Sequence, residues 1–280
     1  MHARRISEKA PRIEDIVDLP RFPFHLPNDR ITKSLIAECQ SSLQSEGVYL
    51  LRGLLRPAAI EQMTDESNRV SHLAYYCEND HNLYLDDGDP DYPEAHIRNR
   101  RFETEIGSIA SDYLGDGSLL KTLYQWDGLT SFIAASLGKE RLYRLADPLG
   151  DVSVNVCKPG DGHFWHYDES DFSVTLQLQA AGSGGHFEYC SEVRGNTENH
   201  FKTMDRVVDG SEKRIRMLPF RPGTLVLFSG HNTLHRVTRS ESDPLRLVSV
   251  LCYSSEPETV NSEHVRKMFW GRTETESAPI

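Results

Sequence analysis

HFWHYDESDF, residues 163–172, places two histidines three apart, the second standing two residues before an aspartate. Taken alone, a His-x-Asp pair is weak evidence of a metal site. Histidines also cap turns and satisfy buried polar groups, and this chain has 12 of them. A mononuclear site of the two-histidine, one-carboxylate kind needs its three ligands on one face of the metal, with the opposite face left open. Residues two apart on a strand point the same way, so His166 and Asp168 can share one ion. The third ligand must then come from a distant strand. His235, in SGHNTLHRVT 67 residues after Asp168, opens such a strand behind RPGTLVLF. Eleven residues further on, Arg246 in PLRLVSVLCY is set to project from the next strand, where a buried arginine grips a carboxylate bidentately.

The surroundings of these residues are β-rich. After about residue 140 the chain breaks into short runs separated by Gly, Pro, Asp and Ser: RLYRLA, DVSVNVCKPG, SVTLQLQ, HFEYC, KRIRMLPF, GTLVLFSG, HRVT and LRLVSVLCY. Many short strands of this kind predict a sandwich or barrel. Short helices are expected near HFKTMDRVVDG and in SEHVRKMFWG. Upstream the pattern is helical. Ile31, Leu35, Ile36, Cys39 and Leu43 follow helical spacing, with Asn28 or Asp29 as cap and Gly47 as stop. VYLLRGLL reads as a buried strand, PAAIEQMTDESNRVSHLA as a helix opened by Pro57, and LLKTLYQWDGLTSFIAASLG as a helix ending at Gly138. Residues 1–27, rich in Pro and charge, are expected to drape over the surface, and LDDGDPDYPEAH is expected to be a loop. The fold class is therefore mixed α and β: a jelly roll with supporting N-terminal helices. It forms a single domain over residues 1–280, with a helical half at about 28–138, a β core at about 140–255 and a C-terminal helix at about 260–271.

Composition narrows the class of function. The net charge is −11 and no run of Lys or Arg exceeds two residues, which argues against a nucleic-acid partner. The five cysteines are odd in number and lack CxxC spacing, so a reducing compartment fits better than a disulfide framework. Behind the basic N-terminus there is no apolar stretch of the secretory kind, and the longest apolar runs are too short to cross a bilayer. The expectation is a cytoplasmic monomer or homodimer with a small-molecule substrate and no membrane partner.

His166-x-Asp168, His235 and Arg246, set among short β-runs, resemble the signature of the iron(II)/2-oxoglutarate-dependent dioxygenases. That resemblance covers roughly residues 150 to 255. It implies a double-stranded β-helix, iron(II) on His166, Asp168 and His235, 2-oxoglutarate anchored by Arg246, and dioxygen as oxidant. GHFWHYDESDF, GGHFEY, RPGTLVLFSG, LHRVT and NSEHVRKMFWGR resemble more narrowly the subgroup of free-amino-acid hydroxylases and carrier-independent halogenases. Halogenases of that subgroup carry a small residue, usually glycine, at the place of Asp168, leaving room for chloride. The retained carboxylate implies hydroxylation of an unactivated C–H bond of a free amino acid or derivative, in specialised (natural product) metabolism. Desaturation or ring closure, such as cyclopropane formation, stays open. So does a 2-oxoglutarate-independent cupin-type metalloenzyme, against which Arg246 speaks, and a metal-free β-barrel binding module.

The subgroup also implies substrate contacts from His163 and Glu169, which otherwise read as a polar pair at a loop edge. Trp270 closes over the substrate there, or else packs on the core. HIRNRR offers Arg98, Arg100 and Arg101 for a substrate carboxylate, one of them serving and the others forming a solvated face. A rival pair, His186 and Glu188 in GGHFEY, follows a Gly-rich turn and is read as structural or rim, and His231 is a further extra histidine. If Arg246 faces the site, strand alternation turns Val248, Val250 and Cys252 towards it as well. Burying a cationic tail unpaired against them is costly, which favours an uncharged or modified side chain.

Overall fold

A computed structural model of the chain describes residues 11–276. Strands are labelled as follows: β1 (Val48–Leu51), β2 (Tyr75–His81), β3 (Phe102–Ile109), β4 (Val152–Cys157), β5 (His163–His166), β6 (Ser173–Gln179), β7 (Phe187–Ser191), β8 (Arg216–Leu218), β9 (Leu225–Phe228), β10 (Thr233–Val237) and β11 (Arg246–Leu251). They form a seven-stranded sheet of order β1-β9-β6-β11-β4-β3-β2 and a four-stranded sheet of order β8-β7-β10-β5. The strand pairs are antiparallel. The two sheets line one cavity between them and make the expected jelly roll as an open sandwich, not a closed barrel.

Alternation along the strands explains the layering. In β4, Val152, Val154 and Val156 join the main core with Val174, Leu176 and Leu178 of β6 and Leu225 and Leu227 of β9. The intervening Ser153, Asn155, Ser173, Thr175, Gln177 and Val226 face the cavity. Helices α1 (Arg30–Glu46), α2 (Pro57–Val70), α3 (Leu119–Tyr124) and α4 (Asp127–Ser136) cover the outer, apolar face of the large sheet. Asp29 caps α1 by accepting from Ile31 N at 2.7 Å, and Gly47 ends it in the left-handed region with φ 74°.

Three expectations are corrected. The helical half contains two strands, β2 and β3, which extend the large sheet past β4. LLKTLYQWDGLTSFIAASLG forms two helices, α3 and α4, divided at Gln125–Trp126. Residues 11–27 do not merely drape, for Ile16, Val17, Phe22 and Phe24 are buried in the main core. Phe24 stacks on Phe132 of α4 with ring centroids 4.0 Å apart. Residues 1–10, the rest of that stretch, lie outside the described residues. Helices α5 (Glu198–Val208) and α6 (Glu263–Trp270) stand where short helices were expected. No described helix is long and apolar enough to cross a membrane.

Candidate metal centre and reaction cavity

β5 and β10 pair with His166 directly opposite His235, which sets the imidazoles side by side with centroids 4.2 Å apart. Asp168 lies just beyond β5, in a loop that backbone bonds hold in line. Tyr167 N donates to Leu83 O at 2.7 Å and Asp168 N to Gly230 O at 3.1 Å. The Asp168 Oδ1 atom is 3.5 Å from His166 Nε2 and 3.4 Å from His235 Nε2. One donor atom from each of the three residues falls within 4.8 Å of the others, the only such three-residue group among the described residues.

The donors are oriented by their far sides. His166 Nδ1 meets Phe164 O at 2.7 Å and His235 Nδ1 meets Thr233 O at 2.9 Å. Each Nδ1 therefore carries the proton, and each Nε2 presents its lone pair to the centre. Burial and the neighbouring His235 lower the His166 pKa to about 4, so this imidazole is neutral near pH 7. Burial would raise Asp168, but His235 and His166 outweigh it and hold the carboxyl well below its usual range. Its second oxygen, Oδ2, accepts from Ser173 Oγ at 2.5 Å. Behind it stands Gly230, where a Cβ would come within 2.1 Å of Oδ2. Two imidazoles and one carboxylate, with no thiolate, fit iron(II) bound on one face.

The cavity has a volume of about 260 Å³. At one side Arg246 is buried to 4 % exposure, and among the described residues no carboxylate pairs with it. Its Nε donates to Gly185 O at 2.8 Å, and burial lowers its pKa. Gly185 has φ 62°, and a Cβ there would stand 2.9 Å from Arg246 Cδ, which accounts for the Gly-rich turn before HFEY. A buried guanidinium without a counter-ion calls for an anionic ligand. Phe187, Leu218, Val226 and Val237 also line the cavity, and Gln177 fixes its Oε1 by accepting from Arg221 N at 2.8 Å.

The other side is closed by α6. Its Val265, Phe269 and Trp270 line the cavity, and Trp270 Nε1 donates to Ser108 Oγ at 3.2 Å. The helix is anchored by Asp147, fully buried, which accepts from Arg266 Nε at 2.9 Å and Asn261 N at 2.7 Å. Val248, Val250 and Cys252 line the wall, as the alternation from Arg246 predicts. Burial pushes the Cys252 thiol up to about 12, so it stays protonated. His163 also lines the cavity, its ring stacked on His166 at 3.7 Å. Burial, then the neighbouring imidazoles, hold its pKa well below the usual value, so it too is neutral.

The remaining expected residues lie off the cavity wall. Glu169 is exposed. Arg100 points to Asp205 at 3.6 Å, Arg101 pairs with Asp80 at 2.8 Å and Arg98 with Asp86 at 2.7 Å, each carboxylate drawing its guanidinium outwards. Glu188 is bound to Arg236 at 2.7 Å, and His186 is exposed. Neither belongs to the three-residue group. Ser173, Gly230, Ser108, Ser153, Asn155 and Gln177 escaped the sequence reading. For Ser153, Asn155, Ser173 and Gln177 the signal was the polar beats of DVSVNVC and SVTLQLQ, the inward positions of strands whose outward positions are apolar.

The family model for halogenase D matches residues 31–269. The chain belongs to the halogenase D family. No curated protein sequence matched. Among solved structures, the fold is similar to SnoN, a non-heme α-ketoglutarate-dependent epimerase from nogalamycin biosynthesis, with TM-score 0.55 and 12 % identity over 79 % of this chain and 81 % of that one. A prolyl hydroxylase from Trichoplax adhaerens gives TM-score 0.52 and 15 % identity over 81 % and 92 %. HygX from Streptomyces hygroscopicus, solved with nickel and 2-oxoglutarate, gives 0.50 and 14 % over 79 % and 88 %. Family and fold bear out the resemblance to the iron(II)/2-oxoglutarate oxygenases, and with it an oxidoreductase enzyme.

Proposed function

We propose that this member of the halogenase D family hydroxylates an unactivated C–H bond of a free amino acid or amino-acid derivative. The observation that carries the reading is the Asp168 carboxylate, held against two imidazoles by Ser173 and boxed in by Gly230. A carboxylate occupies the place that the sequence resemblance leaves to chloride in halogenases. In this reading His166, Asp168 and His235 hold iron(II). The iron, with 2-oxoglutarate and dioxygen, supplies the oxidising power for C–H cleavage. Arg246 takes the distal carboxylate of 2-oxoglutarate, which gives its buried charge a counter-ion. His163, neutral and stacked on a ligand, offers a ring nitrogen to the substrate. Trp270, Phe269 and Val265 exclude water and fix which hydrogen faces the metal, while Val250 and Cys252 shape the opposite wall.

The test is turnover under dioxygen with iron(II), 2-oxoglutarate, chloride and a panel of free amino acids. The expected outcome is succinate release coupled to a product heavier by one oxygen atom, labelled from isotopic dioxygen. A chlorinated product would overturn the assignment of Asp168. Turnover only with peptides or carrier-tethered substrates would overturn the amino-acid assignment.

A further inference from the structure

The wall of the cavity that continues from Arg246 along β11 and β4 has a composition of its own. Strand register sets Asn155 of β4 between Ser108 of β3 and Val248 of β11, and Ser153 opposite Val250. All five line the cavity, so one row runs hydroxyl, carboxamide, isopropyl across three strands. Asn261, at the foot of α6, joins them beside Gly150. Among the described residues that line the cavity, the only carboxylate is Asp168 and the only guanidinium or ammonium is Arg246. Both are committed, in the reading above, to iron and to 2-oxoglutarate.

Each class of substrate tail meets this wall differently. A terminal ammonium or carboxylate would be buried with no opposite charge to meet it, which disfavours its binding. A purely hydrocarbon tail would cover the Asn155 carboxamide and the Ser153 hydroxyl, for neither of which any described residue supplies a side-chain partner, and would strip them of water. A group that is uncharged and can both give and accept a hydrogen bond satisfies the wall. Val248 and Val250 alongside accommodate the methylenes leading to it.

We infer that the substrate carries an uncharged hydrogen-bonding group, of the carboxamide or hydroxyl kind, which Asn155 and Ser153 recognise and by which the cavity rejects cationic and anionic tails. This rests on the amino-acid oxygenase reading and adds the class of side chain. The test uses the full chain, kept anaerobic with iron(II) and 2-oxoglutarate. It is titrated with straight-chain amino acids of matched length ending in a carboxamide, a methyl, an ammonium or a carboxylate. Perturbation of the visible charge-transfer band of the iron–2-oxoglutarate chelate reads binding. The carboxamide is expected to bind about tenfold or more tighter than the other three, the scale of one unmet buried polar group. Asn155→Leu, or Ser153→Ala should that variant fail to fold, is expected to bring the carboxamide down towards the methyl-ended compound. Asn155→Asp is expected to move the preference towards the ammonium.

Equal or tighter binding of a charged tail by the native chain would overturn the inference. A full carboxamide preference surviving in the variants, or no perturbation by any of the four, would overturn it too. The two claims fail separately. Absence of the band before any amino acid is added contradicts the oxygenase reading, whereas a band with the wrong preference contradicts the side-chain assignment alone.

Discussion

Asp168 is the residue on which the chemistry turns, and its neighbours make its role testable. Ser173 Oγ takes Oδ2, leaving Oδ1 towards the imidazoles. Removing such an outer partner typically weakens a metal site by about 10–100-fold. Ser173→Ala is therefore expected to lower iron(II) affinity on that scale, measured by equilibrium titration, with the thermal stability of the metal-free protein little altered. Gly230→Ala places a methyl against the same oxygen and is expected to weaken iron(II) binding further. His166 gives a pH signature. Unfolded histidine takes up a proton near pH 6.5, whereas folded His166 does so only at about 4. Between those values the unfolded chain binds more protons, so stability falls as pH drops from about 6.5 towards 4. His166→Gln is expected to flatten that part of the stability–pH curve of the metal-free protein, measured by denaturant unfolding.

At the level of elements, helix ends and β-runs were legible because they carry local chemistry. Asp29 and Gly47 bound α1, and Pro57 opens α2, as their spacing predicts. β2 and β3 were not legible. YYCENDH and FETEIGSI are half polar because they form the edge strand of a sheet and its neighbour, where pairing rather than composition makes a strand. The α3–α4 break was hidden because Gln125 and Trp126 carry no breaker signal. The arginines of HIRNRR failed as cavity residues because Asp205, Asp80 and Asp86 draw them outwards, and those partners lie too far along the chain for spacing to show. Helix α6 makes its own prediction. Arg266→Ala strips buried Asp147 of its only ion-pair partner among the described residues, while its backbone donors remain. A loss of about 3 kcal/mol in unfolding free energy is expected, together with a rise in KM for the substrate as the helix loosens over the cavity.

Across the whole molecule, the open sandwich divides its labour. The outer face of the large sheet buries the helices and holds the fold, while the inner face and the small sheet define the cavity. Substitutions in the outer layer should therefore act on stability rather than on selectivity. Phe132→Ala, which removes the ring stacked on Phe24, is expected to cost about 3–5 kcal/mol in unfolding free energy. The ratio of turnover between two substrates should barely move.

The most direct test of the central claim is anaerobic titration of the native chain with iron(II) and 2-oxoglutarate, followed by visible absorption. The account predicts a charge-transfer band that needs both additions. The band should be lost in His235→Ala, and in Arg246→Ala it should require far more 2-oxoglutarate. A native chain that binds iron(II) and gives no band with 2-oxoglutarate would contradict the account.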